Sequence, residues 1–507
     1  MEKGYGSPLG AWPERNYERA LFLRWLEQTT SEEPWVLSIH DEGSNAHAHP
    51  RGGCGKSWLL HDWVTLARQR FPHLPIVQID GLQAADHDCL VITQRVVTHL
   101  QAAYAPWQAQ TFAQTLAALS ARDSLRAARS LHELPDARLR EQLWAALARD
   151  LQILQPLLPA RKPTLLLVYD SFELLAANPQ LTVLNPGQPF PERFGLPRVK
   201  VLIASRQPLD WCQPLWRGRE REVHSLALPP WSAEDIQRAL EREGLISPTD
   251  GPPVSLCERL ATLTGGSPAL VRLTCNLLAH SHLPPAELAR LEQDAFDERL
   301  AAWLIAPERP LAWWLLVLAH LIPGPNEPGV ALDWLAGLLA HLPSDPRLEP
   351  ASTEAALREE LRSLSAVRMS SDMKCVALSK EIRWLLLQYG WERQDPDRRF
   401  RREVSRAVMR LCERELQARR ELAGPVWQTY QTLLLFHCLN VDLERGWRLG
   451  ERLLVSTLAR HQHGLASRLL EILRRFERDL APYQRRQLSH WEEALWLPSH
   501  SQEAEPA

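Results

Sequence analysis

A glycine-rich run, Gly52-Gly53-Cys54-Gly55-Lys56-Ser57, stands between an apolar stretch and an amphipathic one, and few folds accommodate such a run. Residues without a Cβ let the backbone turn its N–H groups to one side and let an anion come close. The helix that starts near Lys56 adds its unsatisfied N–H groups and the positive end of its dipole. Lys56 would then reach β- and γ-phosphates, and the Ser57 hydroxyl would bind Mg²⁺. The common pattern puts a Gly at the position held here by Pro50. Without a ligand, the same run would simply be a Gly-rich turn that starts a helix. Lys occurs only six times in a chain whose Lys and Arg total 58, which adds weight to Lys56.

The surrounding pattern selects the fold class. WVLSIH (35–40), LPIVQIDG (74–81), TLLLVYD (164–170), VKVLIAS (199–205) and EVHSLAL (222–228) read as strands. TLLLVYD is a continuous apolar run, as a strand buried on both faces of a parallel sheet requires. Residues 16–29, the segment after Ser57 and most of 88–160 read as helix, so residues 1–230 are expected to form an α/β phosphate-loop domain with a doubly wound parallel sheet. The polar stretch 41–51 reads as an insertion beside the loop. Its His47 and His49, with His40 at the strand end, fit a solvated loop better than a metal site.

Beyond Trp231 the strand signal fades. Ser232-x-x-Asp235 is a capping box opening a helical subdomain, 231–295, in which Gly265-Gly266-Ser267-Pro268 breaks two helices. Segments 309–321, 330–341 and 352–365 read as three helices. AVRM and KCVAL follow as a hairpin, so 296–385 reads as a winged helix. Residues 386–495 read as all-α hairpins, and 496–507 as a disordered tail.

A phosphate loop needs a carboxylate across the sheet to hold Mg²⁺. Asp170 ends an apolar strand where side chains face a nucleotide edge, and Glu173 follows at a distance suited to orienting water. Asp170 is therefore assigned to the metal with Ser57, and the bland alternative is a helix N-cap. Arg206, after the next apolar strand, is placed to sense the charge of a γ-phosphate.

Together these motifs resemble the STAND class of signal-transduction ATPases, which includes the NACHT and NB-ARC proteins, over roughly residues 10–385. GGCGKSWLL, through Trp58, resembles that class's phosphate loop, and VYDSFE its acidic motif. VKVLIASR resembles its sensor strand. GGSPALV resembles its Gly-x-Pro motif, in which Pro268 would pack on adenine. ERNYER, with Asn16 and Glu18, resembles the segment that helps enclose the base. The resemblance implies ATP/ADP with Mg²⁺, slow hydrolysis at most, and a nucleotide-dependent conformational change or homo-oligomer coupled to a protein partner, effector or sensor. Two positions depart from the class: Leu174 stands where a further acid often follows, and Ser379 where some relatives place a winged-helix His that reads ADP.

Other readings stay in view. A winged-helix transcription regulator would use 352–368 as its recognition helix, but that segment carries three Glu beside its Arg residues, which disfavours DNA. An origin-recognition-like or motor AAA+ ATPase would want an Asp-Glu pair where Asp170-Ser171 stands. A nucleotide-bound scaffold without turnover is the third. GTP is disfavoured because no NKxD motif occurs. The net charge of −3, eight scattered Cys without a CxxC pair, and no long uncharged apolar stretch point to a cytoplasmic protein without a membrane span.

Overall fold

A computed structural model describes residues 15–28, 33–42, 54–83, 89–124, 137–176, 184–185, 188–189, 196–212, 216–247, 254–281, 284–306, 312–321, 329–339, 341–342, 358, 361, 367–369, 374–418, 425–459 and 463–496. Five parallel strands form the central sheet: β1 (Val36–Asp41), β2 (Ile76–Asp80), β3 (Leu165–Asp170), β4 (Val199–Ala204) and β5 (Val223–Leu228). Their spatial order is β2-β3-β4-β1-β5. The first four runs become strands because both sheet faces are covered there, whereas the edge strand β5 leaves His224, Ser225 and Ala227 exposed. Val36, Val77, Ile79, Leu165, Leu167, Val201 and Ile203 face one layer, which includes helices Cys89–Ala103, Gln110–Ser124 and Ala137–Leu154. Leu37, Ile39, Ile76, Leu166, Val168 and Leu202 face helices Asn16–Glu27 and Lys56–Arg70. The alternation has a period of two, as the pleat demands.

One position breaks the apolar rule. Lys200 in β4 is buried, hydrogen-bonds the Pro34 carbonyl at 3.3 Å and lies over the Trp25 ring. Burial pulls its ammonium down to about 8.

The Ser232 capping box forms in full, with Asp235 N–H donating to Ser232 Oγ and Asp235 Oδ2 accepting from the Ser232 N–H, an arrangement that stabilises a helix start by about 1 kcal/mol. Helices Val254–Thr264 and Pro268–Ser281 follow, split at Gly265 and Gly266, whose φ values are +60° and +62°.

The 296–385 segment, expected as a winged helix, differs in detail from that expectation. The stretch 330–341 does not begin as helix: Val330–Ala331 is a short strand, β6, and helix Leu332–Leu339 follows it. β6 pairs with Cys375–Leu378 (β8), which also pairs with Val367–Met369 (β7), so the hairpin is a three-stranded antiparallel sheet. Val330 is β-branched and its partner in β8, Val376, is fully buried, so tertiary pairing outweighs the local helical pattern. The 352–365 segment lies almost wholly outside the described residues.

Beyond it, helix Lys380–Leu385 runs on through a π turn at Leu386–Gly390 into Trp391–Gln394. Helices Arg399–Ala418, Pro425–Val441, Leu443–Ala459, His463–Arg475 and Pro482–Trp496 complete the described chain. Gly446 lets one helix approach the previous one, because a Cβ there would lie 2.7 Å from the Leu439 backbone nitrogen. The proposed tail beyond 496 lies outside the described residues, and no described helix is long and apolar enough to cross a membrane.

Candidate functional site

The C-terminal edge of the sheet gathers the polar residues that its interior excludes. Asp41, Asp80 and Asp170 are the last residues of β1, β2 and β3, and Asp80 lies opposite Asp170 in register. Asp80 serves its own turn by accepting from the Leu82 N–H at 3.0 Å. Asp170 reaches across to the glycine-rich loop, where Ser57 Oγ donates to Asp170 Oδ1 at 3.1 Å over a sequence gap of 113 residues. The Ser171 N–H also donates to Asp170 Oδ1, at 2.8 Å, from a left-handed backbone with φ +53°. That strained turn aims the carboxylate. Gly81 permits it, because a Cβ at that position would lie 2.4 Å from the Ser171 carbonyl oxygen.

Gly55 ends the described part of the loop at φ +82° and caps helix Lys56–Arg70. A left-handed residue with a side chain costs about 1–2 kcal/mol more, which is why glycine belongs there. Gly52 and Gly53 lie outside the described residues. Trp58 is half-buried against the Asn16–Glu27 side of the sheet.

Each cation of the edge is held by a carboxylate. Lys56 Nζ donates to Asp41 Oδ1, and both side chains are nearly covered. The Cys54 thiol lies close enough to Asp41 to feel its charge. Burial, reinforced by the Asp41 charge, pushes that thiol up to about 12, so it is protonated and inert near neutrality. Arg206 is gripped twice by Glu173: its N–H donates to Oε2 at 3.2 Å and its Nε to Oε1 at 3.0 Å. The Arg206 carbonyl accepts from the Asp41 N–H at 3.4 Å, so the two pairs share one strand end.

Three further segments close around the loop. Arg15 donates to the Cys54 carbonyl at 3.3 Å and to the Pro229 carbonyl at 3.0 Å, tying the N-terminal helix, the loop and the exit from β5 together. Asn16, its neighbour, is exposed at the start of that helix. Pro268 lies against the loop, with its Cγ 3.6 Å from where a Gly55 Cβ would stand. Gly266 holds that arrangement, since its carbonyl accepts from the Trp231 N–H at 2.9 Å and a Cβ would strike the Trp231 carbonyl at 2.6 Å. Between them, the Ser267 hydroxyl is buried without a hydrogen-bond partner among the described residues.

The segment from Gly329 to Leu378 docks beside the acidic turn. Gly329 N–H donates to the Leu82 carbonyl at 2.7 Å, and Leu82 and Leu174 join the apolar core of that segment and the helices around it. Leu174, where a further acid was sought, therefore has a packing role. Glu381 is buried next to this junction. Burial pushes its carboxyl up, while Ser379, Arg206 and Lys380 oppose that shift. Its Oε1 has no hydrogen-bond partner among the described residues. Ser379 itself caps helix Lys380–Leu385, accepting from the Ile382 N–H at 3.4 Å.

The structure thus brings together Cys54, Gly55, Lys56, Ser57, Asp170 and Pro268, and sets Glu173 and Arg206 as a pair alongside. Sequence reasoning overlooked Asp41, Arg15 and Glu381. Asp41 carried a signal, since it ends an apolar strand as Asp170 does. Arg15 sits inside the quoted ERNYER segment, and nothing in the sequence marked Glu381. His40 contacts Ser225 Oγ at 3.0 Å, and the described residues hold no His/Cys/Asp/Glu group arranged for a metal. Cys54, Cys212, Cys257, Cys275, Cys375, Cys412 and Cys438 are free thiols.

No family model matches this chain, and no curated protein does. Among solved structures it is similar to the ORC2 protein of Aeropyrum pernix in its ADP form, with TM-score 0.33 and 15% identity, over 77% of this chain and 98% of that one. It is also similar to CDC6P from Pyrobaculum aerophilum, with TM-score 0.32 and 14% identity, over 76% and 97% of the two chains. TM-scores at this level carry no argument about activity or partners.

Proposed function

We propose that the chain is an ATP/ADP-binding molecular switch of the STAND type, acting with a protein partner. The observation that carries the reading is the meeting of Ser57 and Asp170 at 3.1 Å, beneath a loop that Pro268 covers. A hydroxyl and a carboxylate form the oxygen donor set that Mg²⁺ prefers. Mg²⁺ would neutralise phosphate charge there. Lys56, Gly55 and the helix start would cradle the phosphates, and the unpartnered Ser267 hydroxyl offers the nucleotide a donor.

The switching part of the reading rests on Arg206. It lies at a strand end within the electrostatic reach of Glu381, which belongs to the winged part. A γ-phosphate that draws Arg206 away from Glu173 would alter the surroundings of Glu381 and so bias the docking of the winged part. Nucleotide can shift that equilibrium only by its differential affinity for the two arrangements. A homo-oligomer of the ATP form belongs to the same proposal.

The scaffold reading without turnover has its own support. Glu173 directs both carboxylate oxygens at Arg206, so it is not poised as a base for water in this conformation. A DNA-reading winged helix gains no support, because its candidate recognition helix lies almost entirely outside the described residues. Size-exclusion chromatography of the full chain with Mg-ATP against Mg-ADP tests the switch. A change in mass or compactness is expected between the two, and identical elution leaves only the scaffold.

A further inference from the structure

We propose that Asp41 is a stand-in for nucleotide phosphate: its carboxylate holds Lys56 in this conformation, and nucleotide must break that pair to bind. The inference rests on the nucleotide reading and adds a residue that governs affinity for phosphate.

Asp41 is the last residue of β1 and is locked on both sides. Its N–H reaches the Arg206 carbonyl beyond β4 at 3.4 Å, and the next N–H, of Glu42, reaches Leu228 at the end of β5 at 3.0 Å. The backbone therefore cannot carry the carboxylate away. The side chain is buried, and it faces the loop: it accepts from Lys56 Nζ. Lys56 is the first residue of its helix, and the same ammonium is the group that phosphate would need. Carboxylate and phosphate both offer anionic oxygens to an ammonium, and a buried carboxylate this close to Lys56 repels an entering phosphate through a poorly screened medium. One site thus holds a cation and its internal competitor.

Two consequences follow from charge alone. Removing the Asp41 charge should strengthen binding, and only for ligands that bear phosphates. A residue that merely positions Lys56 would behave in the opposite way, because its loss would let the ammonium wander and weaken binding.

Titration calorimetry on the full chain separates these cases, using Mg-ATP, Mg-ADP and adenosine with wild type, Asp41→Asn, Asp41→Ala and Lys56→Ala. The Asn variant should bind ATP and ADP at least tenfold more tightly than wild type, with adenosine unchanged. Binding seen only in the variant counts in the same direction. The Ala variant repeats the test should the Asn variant fail to give a cooperative thermal transition. Unchanged or weaker ATP binding in a folded Asp41 variant overturns the stand-in role. If Lys56→Ala binds ATP as wild type does, or if no variant binds ATP at all, the nucleotide reading falls as well. Loss of binding in Lys56→Ala without a gain at Asp41 overturns only the present inference.

Discussion

At the sheet edge, Lys56 and Arg206 each pair with a carboxylate, Asp41 and Glu173. Where helix Ala312–Leu321 meets the C-terminal helices, a second polar group closes on itself. His320 Nε2 and His437 Nδ1 both meet Ser405 Oγ, at 2.8 and 3.1 Å, and His437 Nε2 meets the Leu321 carbonyl at 3.2 Å. Trp391 and Phe436 pack edge-on or tilted against His320. The first group is charged and partly open; the second is uncharged and wholly buried. The contrast separates binding chemistry from architecture. A buried network that satisfies itself specifies packing, whereas paired charges at a strand edge hold their energy available for exchange.

The strongest way to break the comparison is Lys56→Ala. It should lower ATP affinity at least 100-fold, about 2.8 kcal/mol at ~1.4 kcal/mol per tenfold, and also lower the melting temperature, because the buried Asp41 carboxylate loses its ammonium. Calorimetry and a melting curve on one preparation check both halves, and micromolar affinity in the variant would refute the nucleotide site.

Acid should act on the other group. Burial pulls the His437 imidazole down to about 4, and it drives His320 well below its ordinary value. An unfolded chain takes up those protons near pH 6.5, before the folded one does. The stability is therefore full above about pH 6.5 and is lost as the pH falls toward 4, by about 3 kcal/mol for His437 alone. Urea unfolding at pH 7, 5.5 and 4.5 measures it, and a flat profile would mean that the pair is hydrated.

Ser405→Ala should cost about 1–3 kcal/mol, since it leaves two buried ring nitrogens without their shared hydroxyl. Nucleotide affinity should stay within a factor of two or so, as expected for distant, independent sites. A large drop in affinity would tie the two groups together and blur the distinction.

The smallest effect is expected at the border between them. Glu381→Gln keeps the shape and removes the ionisable carboxyl near Arg206, and should change the ATP-to-ADP affinity ratio by roughly five- to tenfold, at the low end of the ~1–3 kcal/mol span of coupling energies. Equal shifts for both nucleotides would assign Glu381 a packing role only.

Much of the sheet was legible because apolar runs of five or six residues leave few alternatives when both faces are covered. TLLLVYD, VKVLIAS and WVLSIH all became interior strands. The Ser232 capping box was legible because its partners lie three residues apart. Val330–Ala331 was not, since two residues become a strand only when β8 arrives from forty-five residues away. The same limit hid Glu381. Its relation to Arg206 spans 175 positions, and no local pattern records it.

By itself, the order of residues determined that a glycine-rich loop would follow the first strand, that Asp170 would close an apolar strand, and that helices would take over after residue 230. Those features depend on periodicity, on Gly and Pro, and on contacts within one turn. Only the tertiary structure decided who faces whom: Ser57 meets Asp170, Pro268 covers Gly55, and Asp41 claims the lysine that a phosphate would use. Ion pairs and close packing fall off over a few ångströms, so residues distant in sequence reveal such partnerships only once the sheet has brought their strand ends together.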